Sequence, residues 1–304
     1  MGENGESEPE TLTGFDADEV FALVGNETRA AIVHALGEAG GRDVARATLS
    51  FSELRKRVGG DVRSSQFNYH LQQLVGSFVE HVDDGYRLHR VGMRLYRTIV
   101  AGTFTQRELL DPFEVGVDCY FCGSAVEAAY EDAQFMVQCP DCGHAYIRML
   151  MPPSAVDTDD DAELLARVDQ FNRRDLLAYG RGVCTICAHP LDTQLIPAAD
   201  APMAGSAELD VFVHRPCDHC GAQPHVTLGL ALLYDPDVVS FFRERGLDVT
   251  STPVWELEFA MTDRYTTVRS TDPWEVALEL TRDGDTLELV VDGDLNVAER
   301  NLPE

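Results

Sequence analysis

Apolar residues recur at helical spacing through the first third of the chain and alternate with polar ones through its far end, so helices should come first and strands last. Val20, Phe21 and Val24 form one helical stripe, and Asn26 offers an N-cap to a second helix carrying Ile32, Val33 and Leu36, which stops at Gly40 and Gly41. Ser50 and Glu53 stand three apart, the spacing of a capping box, and open a third helix with Phe51, Leu54 and Val58 inward. After the turn at Gly59 and Gly60, residues 64–75 place Phe67, Leu71 and Leu74 on one side. Ser65, Gln66, Tyr69, Gln72 and Gln73 then face outward. Two short β-type runs, 78–82 and 86–89, joined through Asp83-Asp84-Gly85, predict a hairpin, and the helix that follows sets Arg90, Arg94 and Arg97 on one face and Val91, Leu95 and Ile99 on another.

Helix, turn, helix and hairpin make a winged helix. Its second helix is the candidate recognition element: Ser64, Ser65, Gln66, Asn68, Tyr69, Gln72 and Gln73 offer hydroxyl, amide and phenol groups to base edges, with Arg63 at the entry for a phosphate. The apolar face after the hairpin suits a dimer seam, and its arginine stripe suits phosphates and the carboxylates of the acidic half equally well. His70, between core positions, reads as a hydrogen-bonded structural histidine rather than a switch or ligand.

All eight cysteines fall into four Cys-x-x-Cys pairs. Cys119 and Cys122 are followed by Cys139 and Cys142 at the spacing of a four-cysteine zinc ribbon, with glycine directly after Cys122 and Cys142 to relax each turn. Cys184 and Cys187 with Cys217 and Cys220 repeat the pattern around a longer insertion that includes the Pro- and Ala-rich stretch 196–205. Two complete four-thiolate sets predict two structural Zn2+ sites and leave no open coordination position for catalysis. Disulfides are disfavoured because no export signal precedes them, and Cys139-Pro140-Asp141-Cys142 lacks the strand-to-helix setting of a redox dithiol. His144, His189, His214 and His219 read as surface residues or as neighbours of the ligands.

Further on, Asp159, Asp160, Asp161 and Glu163 precede a helical pattern with Leu164, Val168 and Phe171, read as a connecting helix. Val226, Leu228, Leu230 and Leu232 alternate like a strand, and Asp235-Pro236 opens a helix with Val238, Phe241 and Phe242 that ends at Gly246. Three more alternating runs follow: Trp255, Leu257 and Phe259; Trp274, Val276, Leu278 and Leu280; and Leu287, Leu289 and Val291 across the Asp283-Gly284-Asp285 turn. The fold class expected is multidomain α+β: a winged helix-turn-helix, two four-cysteine zinc ribbons, and a small antiparallel sheet with a packed helix. The divisions expected are a disordered acidic tail at 1–14, the DNA-binding domain at 15–108, the first ribbon at 109–153, the connecting helix at 154–181, and the second ribbon fused to the α+β domain at 182–304.

Charge changes the picture. The chain holds 24 basic and 52 acidic residues, a net charge of −28, yet residues 15–107 hold 12 basic against 11 acidic, and 108–304 hold 12 against 37. The acid lies away from the DNA-binding module. Lys56 is the only lysine, and this lysine-poor, acidic composition resembles proteins of salt-in halophilic archaea. No apolar run is long enough to cross a bilayer, and the polar, acidic N-terminus resembles no secretory or transit signal, so a cytoplasmic protein is expected with no membrane partner.

The order of elements, with Leu23-Val24-Gly25-Asn26-Glu27-Thr28-Arg29 and Phe67-Asn68-Tyr69-His70-Leu71, resembles the ArsR-like winged-helix regulators, their haloarchaeal branch in particular. The resemblance covers about a third of the chain. It implies binding of double-stranded DNA, usually as a homodimer on a two-fold operator, with DNA contacts early in the recognition helix and no enzyme activity. Members that sense metal carry cysteines in that helix, and this chain has none there, which leaves the effector open. The Asp83-Asp84 wing tip would be repelled by phosphate, so the wing either stays off the backbone or uses Arg87. Two other readings stand beside DNA binding. One is a non-catalytic adaptor docking a protein of the transcription machinery. The other is RNA binding through the ribbons, with Tyr120, Phe121, Tyr146 and Arg148 as candidates. No nucleophile-base set or phosphate-cradling glycine loop supports an enzyme.

Overall fold

Asn26 caps the second helix two residues after the first one ends. In the computed structural model, which describes residues 17–41, 47–59, 62–201 and 209–302, α1 spans Ala17–Val24 and α2 spans Glu27–Ala39. The Asn26 side chain accepts from the Arg29 N–H at 3.2 Å, while the Arg29 guanidinium turns back to the Leu23 carbonyl at 2.6 Å and to that of Ala22. One arginine thus satisfies acceptors that the end of α1 leaves open. The tail at 1–14 and Gly60 lie outside the described residues.

The expected capping box is present at α3, Phe51–Val58, where Glu53 Oε2 accepts from the Ser50 N–H at 2.9 Å and Ser50 Oγ accepts from that of Glu53 at 3.3 Å. Helix α4, Ser64–Leu74, buries Phe67, Leu71 and Leu74 completely, and Phe67 meets Phe51 of α3 edge to face at 5.2 Å. Strands β1, Val79–Val82, and β2, Gly85–Leu88, pair antiparallel around Asp83 and Asp84, and Leu49 bonds both ways to Tyr86 on the free edge of β2. Helix α5, Arg90–Val100, packs onto α2 and the hairpin through two absent side chains. A Cβ on Gly92 would lie 2.0 Å from the Phe78 carbonyl oxygen, and one on Gly37 would lie 2.3 Å from the Tyr96 ring.

The chain divides at Thr105 into two compact units. In the second, β3 (Leu110–Asp118), β4 (Ala125–Glu131), β5 (Gln134–Gln138) and β6 (Ala145–Leu150) form an antiparallel sheet in sequence order. Helix α6, Asp161–Gly180, is capped by Asp160, whose Oδ1 accepts from the N–H groups of Ala162 and Glu163 at 3.0 and 3.1 Å. A three-stranded sheet follows from β7 (Gln194–Pro197), β8 (Val211–His214) and β9 (His225–Val226), then helices α7 (Leu228–Ala231), α8 (Pro236–Glu244) and α9 (Glu258–Met261). Strands β10 (Thr266–Thr271), β11 (Trp274–Arg282), β12 (Asp285–Asp292) and β13 (Val297–Asn301) close the unit as an antiparallel sheet in sequence order.

Two expected strands are helical. The Val226–Leu232 alternation stops after β9, because Thr227 caps α7: its Oγ1 accepts from the Leu230 N–H at 3.1 Å and donates to the Ala260 carbonyl at 2.5 Å. Gly229 lets the chains meet, since a Cβ there would lie 1.9 Å from the Phe259 carbonyl oxygen. Trp255, Leu257 and Phe259 lie on a 3-10 turn running into α9, and Val254, Ala260 and Met261 on either side of them are buried as well. Buried apolar residues at both parities fit a helical turn rather than the strict alternation of a half-buried strand.

The segment read as a connecting helix is a core element. Leu164 and Val168 of α6 share one buried cluster with Val126, Tyr130, Phe135 and Val137 of the first sheet, Phe241 and Phe242 of α8, and Leu278, Leu280, Leu287 and Leu289 of the last sheet. Ribbon, helix and C-terminal sheet therefore form one unit around one core. Within it Asp169 and Arg173 are buried together: Arg173 Nε donates to Asp169 Oδ2 at 2.5 Å, and the guanidinium also reaches the Val249 carbonyl at 2.9 Å and the Thr252 carbonyl. Asp169 Oδ1 accepts from the Val254 N–H at 3.1 Å.

Candidate metal centres and an exposed helix face

The eight cysteines come together as two groups of four, Cys119, Cys122, Cys139 and Cys142, and Cys184, Cys187, Cys217 and Cys220, in which every Sγ lies within 4.8 Å of the others. The nearest sulfurs are 3.4 and 3.6 Å apart in the first group and 3.5 and 3.6 Å in the second. A disulfide needs about 2.05 Å. A tetrahedron of thiolates with metal–sulfur bonds of about 2.3 Å has edges of about 3.8 Å, close to what is found. Each group could hold a metal ion, with two knuckles supplying two sulfurs apiece.

All four knuckles use one backbone device. The residue after the second cysteine donates its N–H to the carbonyl of the first, at 2.9 Å for Gly123, 3.0 Å for Gly143, 2.9 Å for Ala188 and 2.8 Å for Gly221. The first cysteine donates back to the carbonyl of the next residue along, Ser124, His144, His189 or Ala222, at 2.8 to 2.9 Å. This ring forces a left-handed residue, with φ of 80°, 76° and 75° at Gly123, Gly143 and Gly221. Ala188 adopts φ 60° at the same place without glycine's freedom. The turned-in N–H groups of Cys187 and Ile186 hold the Cys184 thiol down at about 6, favouring the thiolate that binds metal. The longer insertion between the second pair of knuckles carries β7 and β8 among its described residues; residues 202–205 of the Pro- and Ala-rich stretch lie outside them.

Beside the first group, burial pushes the His144 imidazole down to about 4, and its ring packs at 4.2 Å on Phe121 and 5.0 Å on Tyr146. Tyr146 is buried and accepts from the Tyr120 N–H at 2.9 Å, while the Tyr120 hydroxyl donates to the Trp255 carbonyl at 3.1 Å. Of the aromatics proposed for RNA, Tyr146 is buried and Tyr120 and Phe121 are half-buried. His189 and His219 stack at 4.0 Å across the second group.

On α4 the candidate contact residues separate from the core. Ser64, Ser65, Gln66, Asn68, Tyr69, Gln72 and Gln73 are exposed, as is Arg63 at the N-cap position. At 100° per residue, Ser65, Gln66, Asn68, Tyr69, Gln72 and Gln73 occupy an arc of about 160°, and Phe67, Leu71 and Leu74 lie opposite. No carboxylate occurs from Arg63 to Ser77. Arg90, Arg94 and Arg97 of α5 are exposed and pair with no carboxylate among the described residues. Arg87 is not free for the wing: its Nε donates to Glu80 across the hairpin at 2.5 Å. His70 departs from the hydrogen-bonded reading, because Nδ1 is buried with no partner among the described residues and burial lowers its pKa.

A family model described as a domain of unknown function (DUF7351) matches residues 116–297, more than half of the chain. The chain belongs to the DUF7351 family. The DUF7351 span takes in both four-cysteine groups, α6 and nearly all of the last sheet, which agrees with their common core. A second model, also a domain of unknown function (DUF7347), matches residues 17–99, from α1 through α5. No curated protein and no solved structure matches the chain. No helix among the described residues is long and apolar enough to cross a membrane.

Sequence reasoning missed the Asp169–Arg173 pair. Its signal was there: opposite charges four apart, on the arc of α6 that also carries Leu164, Val168 and Leu176.

Proposed function

We propose that this chain is a sequence-specific, DNA-binding transcription regulator of the cytoplasm, whose N-terminal unit is a winged helix-turn-helix like that of the ArsR-like regulators. The observation that carries the reading is the exposed arc of α4, eight polar or basic positions free of carboxylate in a chain with 52 acidic residues. On an acidic protein a solvated face would ordinarily collect Asp and Glu; one that must approach phosphates cannot. Gln66, Asn68, Gln72 and Gln73 suit adenine edges, and Ser65 and Tyr69 add hydroxyl groups, with each good bidentate contact contributing about 1–3 kcal/mol of discrimination. The apolar side of α5, including Val91 at 53% exposure, supplies a seam for a homodimer.

The two four-thiolate groups are assigned to zinc. Soft, fourfold sulfur ligation near tetrahedral edge lengths suits Zn2+, and four protein ligands per ion leave none for substrate, so the ions are structural. The unit around them is a rigid partner or effector module rather than an enzyme.

The test is binding to genomic DNA fragments at several potassium concentrations, wild type against Gln66→Ala with Tyr69→Ala. Selective enrichment of particular fragments, weakened tenfold or more in the variant, is the expected result. Sequence-blind binding unchanged by the two substitutions would remove α4 from the mechanism. Binding of a transcription protein without DNA would favour the adaptor reading.

A further inference from the structure

A cleft of about 630 Å3 opens inside the second unit, bounded by β6, by α6, by the second cysteine group and by α7 and α9. Its size falls within the 300–1,000 Å3 range of small-molecule sites. Phe171, Met149, Phe212, Leu230 and Met261 give it apolar walls, and Gln134, Asn172 and Gln223 place amides around them.

Charge is distributed here against the trend of the chain. Residues 108–304 hold 37 acidic side chains, roughly one in five, but of the thirty residues lining the cleft only Asp175 is acidic. Asp175 is itself taken up by Arg174 at 2.9 Å, and that guanidinium lies over the Phe171 ring at 4.0 Å. Arg148, exposed on β6, has no carboxylate or hydrogen-bond partner among the described residues. His225, which also lines the cleft, keeps Nε2 buried without a partner among the described residues. An unneutralised guanidinium lining an apolar chamber needs an acceptor that brings hydrocarbon with it, while the bare Nε2 of the neutral His225 ring can take a proton donor from the ligand or from water held with it.

We propose that the cleft between the two cysteine groups binds a small organic anion, an apolar body ending in a carboxylate or similar oxyanion head. The body fills the Phe171–Phe212–Met261 walls, and the head meets Arg148. The inference stands independently of DNA binding.

Methionine methyl groups report directly, because Met149 and Met261 line the cleft while Met93 and Met136 do not. Full-length protein carrying 13C-methyl methionine is titrated in molar KCl with octanoate and with indole-3-acetate, and in parallel with the amide and the amine of each body. Saturable shifts at Met149 and Met261 with a Kd on the order of 1 mM are expected for the two anions, with weaker effects of the amides and weakest of the amines. Arg148→Gln, at an exposed position, should weaken both anions about tenfold and leave the amides unchanged; Asn172→Trp should fill the cleft and remove every response, with Met93 and Met136 reporting an intact fold. No saturable shift with either body up to about 10 mM, equal response to anion and amine, or an Arg148→Gln protein indistinguishable from wild type would overturn the proposal.

Discussion

Replacing Asp169 by Asn removes one charge from the most enclosed ion pair of the second unit. Asp169 is 2% exposed and Arg173 5% exposed, so the guanidinium would be left charged, dry and short of its carboxylate. Breaking a buried pair from one side costs about 3–5 kcal/mol. Asparagine can keep the bond from the Val254 N–H through Oδ1, which places this variant toward the lower end of that range. Asp169→Leu with Arg173→Met removes both charges but orphans the Val249 and Thr252 carbonyls and the Val254 N–H, at about 1 kcal/mol or more each. Three such groups come to about 3 kcal/mol or more, so the double variant should be about as unstable as Asp169→Asn alone. Urea unfolding at fixed KCl reads this through Trp255, which is 1% exposed in the same core. Because the pair is shielded from solvent ions, the loss should be the same at low and high salt, unlike that of the half-exposed Arg300–Asp237 pair. A loss below about 1 kcal/mol for Asp169→Asn, or a double variant far less stable than the single one, would refute this account of the lock.

Elemental analysis of protein purified without added metal should find two zinc per chain, and a mercurial that titrates the eight thiols should release both ions and unfold the second unit; metal-free protein with an unchanged fold would defeat the structural role. Gly92→Ala should destabilise the first unit by about 1–3 kcal/mol, because the new methyl meets the Phe78 carbonyl rather than a side chain able to rotate away; thermal unfolding within about 0.5 kcal/mol of wild type would contradict that packing. For His70 the folded-state pKa is lowered by burial, so the unfolded chain takes up the proton first; stability is fully present above the ordinary imidazole pKa of about 6.5 and falls as pH drops below it. His70→Gln should flatten that slope between about pH 7 and 5, and an unchanged slope would place the sensitivity elsewhere.

Where a local signal fixes local geometry, the sequence was readable. Asn26, Ser50, Asp160 and Asp235 all cap the helices their positions announce, and the four Cys-x-x-Cys pairs close as two groups in the expected partition. What escaped was decided at a distance. The Leu228–Leu232 alternation reads as a strand until Thr227 finds the Ala260 carbonyl, 33 residues away. Strands β10 and β13 carry mostly polar, exposed residues, so no apolar period marks them; they form as edges on the strongly patterned β11 and β12. The cleft is made from stretches of chain as far apart as Gln134 and Met261, and Arg148 shows its lack of a partner only once they meet.

If the first unit binds DNA as proposed, the same separation of charge governs how that binding should respond to salt. Of the cations in the first unit, Arg29, Arg55 and Arg87 are engaged by the Leu23 carbonyl, the Val62 carbonyl and Glu80, and so are poor phosphate ligands. Lys56, Arg57, Arg63, Arg90, Arg94 and Arg97 are exposed, and they cannot all face one duplex from three different helices. If about three reach phosphates, log K should fall with log salt at a slope near −2.7 per protomer, and Asp83 and Asp84 at the hairpin tip add none. Between 0.5 and 2 M KCl that slope removes about 40-fold in affinity per protomer, so binding that persists must come from base edges, shape and dimer symmetry. Fluorescence anisotropy on a selected fragment over that range gives the slope, and Arg94→Gln shows whether α5 contributes one unit of it. A slope steeper than about −6 per protomer would mean that phosphate contacts dominate after all, and the neutral arc of α4 would then lose its place as the source of affinity.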